Sequence, residues 1–183
     1  MLIFVEERFL PSRDQEEARY RMHRNTGEDS GYVAFLNQAV EAALSFLKPG
    51  MKGMDFGCGP VPTLSTLLEK CGMRCGNYDP LFFPRVPEGP HDFIFATECF
   101  EHFFSPDREL LKIKALLAPG GILTIMTEPW TCLDGFSTWP YARDATHVCF
   151  YHDRTMDWIS EKYGFHRMPS CNARVSVMKS RDL

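Results

Sequence analysis

The chain has 183 residues, a length that suits one domain able to bury about 70% of its unfolded surface. Its 44% apolar and 24% charged residues are ordinary for a globular protein. A net charge of −4 argues against a general binder of nucleic acid or of anionic membranes.

The opening run Met1–Val5 is too short for a signal peptide and has no basic region before it. Ser12 and Gln15 form a capping box that starts a charged helix reaching about His23. Arg19, Arg21 and Arg24 lie there among Glu16, Glu17, Glu28 and Asp29, which reads as a solvated mixed face. Residues 25–30 read as a loop. Tyr32, Phe35, Leu36, Ala39, Val40, Ala43, Leu44 and Leu47 then follow helical spacing, and Lys48-Pro49-Gly50 ends that helix.

Residues 51–56 read as a strand entering a glycine loop. A helix through Leu64, Leu67 and Leu68 follows, closed by Gly72. A strand at 73–78 ends at Asp79, and residues 92–97 form a buried-type strand. Ser105 is placed as the cap of a helix with Pro106 in its first turn. Residues 118–121 break that helix before a strand at 122–127. A long aromatic segment, 128–152, comes next. Asp153 is placed as the cap of a helix that ends at Gly164, and residues 165–171 and 173–179 form a closing hairpin. Strand–helix alternation of this kind implies an α/β three-layer sandwich with a mostly parallel sheet. No stretch approaches the roughly 20 apolar residues of a membrane span. The seven cysteines include no CxxC pair and read as reduced thiols of a cytoplasmic protein.

The chemistry centres on Gly57 and Gly59. Glycine lets a turn after a first strand bring its backbone close to a ligand. Asp79, at the end of the next strand, can accept hydrogen bonds from ribose hydroxyls. A dinucleotide fingerprint needs a third glycine or alanine, but Pro62 stands there. Pro60 and Pro62 also remove two N–H groups that a pyrophosphate would use. The pattern therefore suits a nucleoside ligand without a phosphate.

Residues 55–60, Asp-Phe-Gly-Cys-Gly-Pro, resemble the first motif of class I S-adenosylmethionine-dependent methyltransferases. Residues 93–103 resemble the fourth-strand motif of the small-molecule branch, and residues 116–123 the approach to the fifth strand. Residues 155–165 resemble the late helix. The resemblance covers residues 31–179 and implies a Rossmann-like sheet with S-adenosylmethionine as cofactor. It implies that Asp55, Gly57, Cys58 and Gly59 lie along the methionine part of the cofactor and that Asp79 holds the ribose. Pro80 and Leu81 would meet the adenine, with Thr97 and Glu98 below the transferable methyl.

Two departures stand out. Val61 occupies a position where the family often has glycine, and it is expected to narrow the loop. Only eleven residues, 80–90, separate Asp79 from the strand region, and their full reach is about 36 Å. The usual third strand and at least one helix are therefore expected to be missing. Leu81, Phe82 and Phe83 read equally as an adenine wall or as cover for the sheet edge.

Asp144 and His147 are candidates for an acid-oriented general base, the other reading being a histidine that fixes the loop. His102 reads more readily as a packed residue than as a base. Trp130, Phe136, Trp139 and Tyr141 suit either an acceptor pocket or aromatic cover. His147, His152, Asp144, Cys149 and Asp153 give no zinc pattern, so no metal is expected. Residues 1–30 are expected to carry a helix and a lid over one core domain, 31–183, with Tyr20, His23 and Asn25 near the cofactor. The expected activity is methyl transfer to a small-molecule acceptor, with no nucleic-acid or membrane partner. A non-catalytic binder on the same fold is the alternative. The sequence sets no oligomeric state.

Overall fold

The computed structural model describes residues 1–22 and 27–181. In chain order the regular elements are β1 (Leu2–Phe4), α1 (Arg13–Met22), α2 (Ser30–Leu44), β2 (Lys52–Phe56), α3 (Thr63–Lys70), β3 (Arg74–Tyr78) and β4 (His91–Thr97). They continue with α4 (Pro106–Leu116), β5 (Leu117–Met126), β6 (Cys149–Tyr151), α5 (Asp153–Lys162), β7 (Phe165–Met168) and β8 (Val175–Ser180).

Six strands form one sheet in the order β3-β2-β4-β5-β8-β7. The first four run parallel, and β8 and β7 add antiparallel to close it. Side chains alternate across it. Phe93 and Phe95 of β4 pack with Leu36, Val40 and Leu68 on the α2/α3 face. Ile94 and Ala96 pack with Leu110, Ile113 and Ile159 on the α4/α5 face. Each fully buried Phe, Leu or Ile contributes roughly 1.5–3 kcal/mol of transfer free energy. The three-layer sandwich follows from that two-sided burial.

The helices begin for identifiable reasons. Ser12 and Gln15 exchange main-chain and side-chain hydrogen bonds of 2.8 and 3.3 Å at the start of α1, as the capping box predicts. Asp29 accepts from the N–H groups of Gly31 and Tyr32 and so caps α2. Two expected caps differ. Ser105 stands at the cap position of α4, but its side chain makes no cap bond there. The cap of α5 is His152, whose ring accepts from the Arg154 N–H, and Asp153 is the first helical residue.

Residues 118–121 do not separate helix from strand. β5 starts at Leu117, directly after α4, and pairs with β4 through an irregularity between His91 and Phe93. A second sheet was not foreseen: β1 pairs antiparallel with β6, Leu2 opposite Tyr151. Both strands have only three residues, too few for a period-2 pattern to register.

The expected gap after β3 is present. β3 is an edge strand, and residues 79–90 carry no regular element among the described residues. Asp79 and Phe83 form an isolated bridge with two bonds of 3.0 Å. Pro87 lies on the edge strand so closely that a Cβ at Gly76 would stand 2.8 Å from it. Val86 packs against the core. A tight proline-rich cover thus replaces a third strand. No helix among the described residues is long and apolar enough to cross a membrane.

Candidate functional site

Strand order reverses between β2 and β4, because β3 follows on one side of β2 and β4 on the other. Open parallel sheets bind ligands in the crevice at the carboxyl ends of such strands. Here those ends are the glycine loop after β2 and the turn after Thr97.

The loop is fixed by its main chain. Gly57 and Cys58 both donate to the Tyr78 carbonyl, at 2.8 and 3.1 Å. Gly57 has φ +81°, and a Cβ there would lie 2.6 Å from the Cβ of Cys99, so only glycine fits. Gly59 donates to Asp79 Oδ2 at 3.0 Å. Asp79 Oδ1 accepts from Leu81 and Phe82 at 2.8 and 3.1 Å. Three of the roughly four acceptor positions of that carboxylate are therefore filled. One acceptor position remains among the described residues. Val61, expected to narrow the loop, is 42% exposed and lines the rim of the smaller of two adjoining cavities. Pro62 occupies the cap position of α3, so that helix start offers no N–H there.

Carboxyl groups gather around the crevice. Asp55 is 2% exposed, its Oδ1 has no partner among the described residues, and burial and then Asp79 push its carboxyl up to about 7. Glu98 has φ +47°, a conformation few non-glycine residues adopt. Its Oε1 is also unpartnered, and burial, with Glu101 second, pushes its carboxyl up to about 9. Glu101 is fully buried; its Oε2 accepts from the Thr127 hydroxyl at 2.9 Å, while Oε1 has no partner among the described residues. Burial raises its pKa too, against the pull of His147.

Two cavities adjoin here, of about 490 and 320 Å³. Gly57, Gly59, Tyr20, Glu98 and His102 line both. The larger also takes in Asp79, Pro80, Leu81 and Glu16, and the smaller Cys58, Thr97, Glu101 and His147. Tyr20 of α1 stands between them, edge-on to His102 at 5.3 Å and to Phe82 at 6.3 Å. α1 therefore covers the crevice. His23 and Asn25 lie outside the described residues.

Asp144 and His147 are not joined as an acid–base pair. Asp144 binds Arg19, with bonds of 3.1 and 2.6 Å, and accepts from the Thr146 N–H and hydroxyl. Burial opposes its ionisation, but these bonds outweigh burial and hold its carboxyl well below the usual range. The His147 ring places Nδ1 2.7 Å from the Tyr141 carbonyl. Burial lowers the His147 pKa, with Glu101 pulling the other way. Glu101 is the acid beside this ring that the sequence reading left unassigned. Its signal was a carboxylate set among Phe100, Phe103 and Phe104 in a buried turn.

The aromatic segment does not form an acceptor pocket beside the loop. Phe136 and Trp139 pack on Phe150, and Trp139 stacks on Tyr141. Trp130, Phe136 and Trp139 border a separate depression.

A model of the methyltransferase domain matches residues 27–167. The chain belongs to the methyltransferase domain family. No curated protein matches the sequence. Solved structures share the fold at low identity. A chain of the complex between the Haloferax volcanii Trm112 methyltransferase activator and its methyltransferase is 12% identical, covers 93% of this chain and 100% of its own, and gives a TM-score of 0.60. A Thermotoga maritima S-adenosylmethionine-dependent methyltransferase is 13% identical, with coverages of 92% and 95% and a TM-score of 0.53. The Burkholderia thailandensis 1,6-didemethyltoxoflavin-N1-methyltransferase, solved with its substrate and S-adenosylhomocysteine, is 15% identical, with coverages of 80% and 77% and a TM-score of 0.50. This methyltransferase domain fits a cationic nucleoside better than a nucleotide. Asp79, Glu98 and Glu101 line its crevice, with Asp55 buried beside the loop, and the loop carries prolines where phosphate donors would stand.

Proposed function

We propose that this chain transfers the methyl group of S-adenosylmethionine to a small-molecule acceptor. The observation that carries the reading is the crevice at the strand switch point. It combines a glycine loop clamped by Asp79 with Glu98, which lines the crevice and whose buried Oε1 has no partner among the described residues; Asp55, buried beside the loop, is likewise without one at Oδ1. A sulfonium and an α-ammonium group suit such oxygens, and a diphosphate does not.

In this reading Asp79 holds a ribose hydroxyl, Pro80 and Leu81 border the adenine, and Gly57, Cys58 and Gly59 follow the methionine chain. Asp55 faces the ammonium, and Thr97 and Glu98 border the reacting methyl. S-adenosylmethionine supplies a methyl already activated by its positive sulfur. The protein's task is to align the acceptor in line with it and to exclude water. α1, through Tyr20 and the Arg19–Asp144 pair, acts as the lid that excludes it. His147, with Nε2 directed away from the Tyr141 carbonyl that takes Nδ1, is the candidate to receive an acceptor proton; Asp144 positions the segment that carries it.

Calorimetric titration with S-adenosylhomocysteine and, separately, with NAD tests the reading. Binding of the first and not the second is expected. NAD binding alone overturns it. S-adenosylhomocysteine binding with no methylated product across a metabolite panel would favour a non-catalytic binder.

A further inference from the structure

We propose that Glu16 of α1 is a second carboxylate on the ribose of the bound nucleoside, so that the covering helix and the end of β3 each hold one hydroxyl of the diol. The inference rests on the S-adenosylmethionine reading of the crevice. It adds to that reading a binding residue from outside the sheet.

A ribose presents two adjacent hydroxyls, each with one O–H to donate. A carboxylate with both oxygens free can accept both. Asp79 is not free in that way. Its Oδ1 already accepts from Leu81 and Phe82, and its Oδ2 from Gly59. The residue is 9% exposed and lines the larger cavity, so its remaining acceptor position, on Oδ2, serves one hydroxyl. The second hydroxyl needs another acceptor on the same cavity.

Glu16 stands where that acceptor is needed. Arg13, Glu16 and Tyr20 are spaced i, i+3, i+7 along α1, and all three line the larger cavity together with Asp79. The adjacent acid, Glu17, is taken up by Arg21 in an exposed pair with bonds of 3.0 and 2.6 Å. Glu16 is half-buried and has no cation or hydrogen-bond donor on its side chain among the described residues. Burial first, and the Asp79 charge second, raise its pKa. The two carboxyls thus share one space and repel across it. O–H donors placed between them offset that repulsion, whereas a phosphate on the ribose would add to it.

The arrangement sets both specificity and closure. It selects a nucleoside whose diol is intact and unphosphorylated. No residue of α1 is fully buried, so apolar packing holds the helix only weakly. A diol shared between Asp79 and Glu16 ties the helix to the sheet for as long as the ligand stays. A ligand lacking the Glu16 hydroxyl reaches Asp79 and leaves that tie unmade.

The test titrates the full chain by calorimetry with S-adenosylhomocysteine and with its 2′-deoxy and 3′-deoxy analogues. The parent chain should bind both analogues more weakly than S-adenosylhomocysteine. Glu16→Ala should weaken S-adenosylhomocysteine at least ~10-fold, as the loss of a hydrogen bond to a charged group does. Glu16→Gln, which keeps an oxygen but not the charge, should fall between. Against the analogue that lacks the hydroxyl Glu16 accepts, Glu16→Ala should cost less than ~2-fold, because the two changes remove the same contact. Alanine is the best helix former, so α1 is retained, and circular dichroism checks it. Glu17→Ala, in the exposed pair with Arg21, should bind as the parent does. No loss with S-adenosylhomocysteine, or the same loss with all three ligands, overturns the proposal and leaves the S-adenosylmethionine reading standing. A parent chain that does not bind S-adenosylhomocysteine sinks both.

Discussion

On the glycine-loop wall of the crevice, Asp79 accepts three main-chain N–H bonds, and Gly57 and Cys58 share one carbonyl. On the opposite wall, Glu98 and Glu101 each keep a buried oxygen without a partner among the described residues. The first wall is complete in itself and needs a ligand only to fill its remaining acceptor position. The second has polar capacity that the fold leaves unspent, which is what a site for a charged ligand requires.

Asp79→Ala attacks the first wall and carries the largest expected effect. It removes three charge-assisted bonds that hold the loop, Leu81 and Phe82 in place. A loss of about 3 kcal/mol in S-adenosylhomocysteine binding is expected, more than ~100-fold in Kd by calorimetry. Glu98→Gln on the second wall should cost clearly less, since its Oε1 has no hydrogen bond to lose. Equal losses from the two changes would erase the distinction between the walls.

The first wall was legible in the sequence because its parts are local. Residues 55–60 form one turn, and Asp79 ends the neighbouring strand. Glycine, proline and aspartate each announce a backbone requirement. The shortened core was legible for a related reason, since eleven residues after Asp79 cannot reach far enough for another strand and helices. The second wall is assembled from two segments distant in sequence. Glu101 and His102 sit in a 3-10 turn after β4, and His147 sits on the strap before β6. The strap is placed by long-range bonds, among them Val148 N–H to the Glu101 carbonyl at 2.8 Å. The acid beside His147 therefore could not be found among its near neighbours, and Asp144 looked like its partner only because it is close in sequence. Arg19, much earlier in the chain, claims that carboxylate instead.

Asp55 sharpens the comparison, because it lies beneath the first wall yet shares the unmatched oxygen of the second. Burial first, and Asp79 second, push its carboxyl from the usual 3.8 to about 7. The native state thus holds the proton more tightly than the unfolded chain does. The associated stability is fully present below about pH 4 and is lost as pH rises through 7. The Tm of the parent protein should therefore fall relative to Asp55→Asn across that window, with a constant gap above about pH 8. Curves that stay parallel from pH 4 to 8 would place Asp55 with the satisfied wall.

The smallest effect is expected where α1 joins the two walls. Arg19 is bonded to Asp144 on the strap, and Tyr20 meets His102 and Phe82 beneath it. No residue of α1 is fully buried, so little apolar area holds the helix down. The Arg19 side chain is 41% exposed, and solvent screening limits the pair to about 0.5–1 kcal/mol. Arg19→Ala should therefore leave the Tm within ~2–4 °C of the parent. Its signature is local: tryptic cleavage after Arg13 and Arg21 should quicken several-fold while the core stays intact. S-adenosylhomocysteine should slow cleavage in the parent protein, because a lid that closes on ligand opens less often once the ligand is bound. Protection that does not respond to ligand would make α1 a fixed cover, and the walls would then owe nothing to its movement.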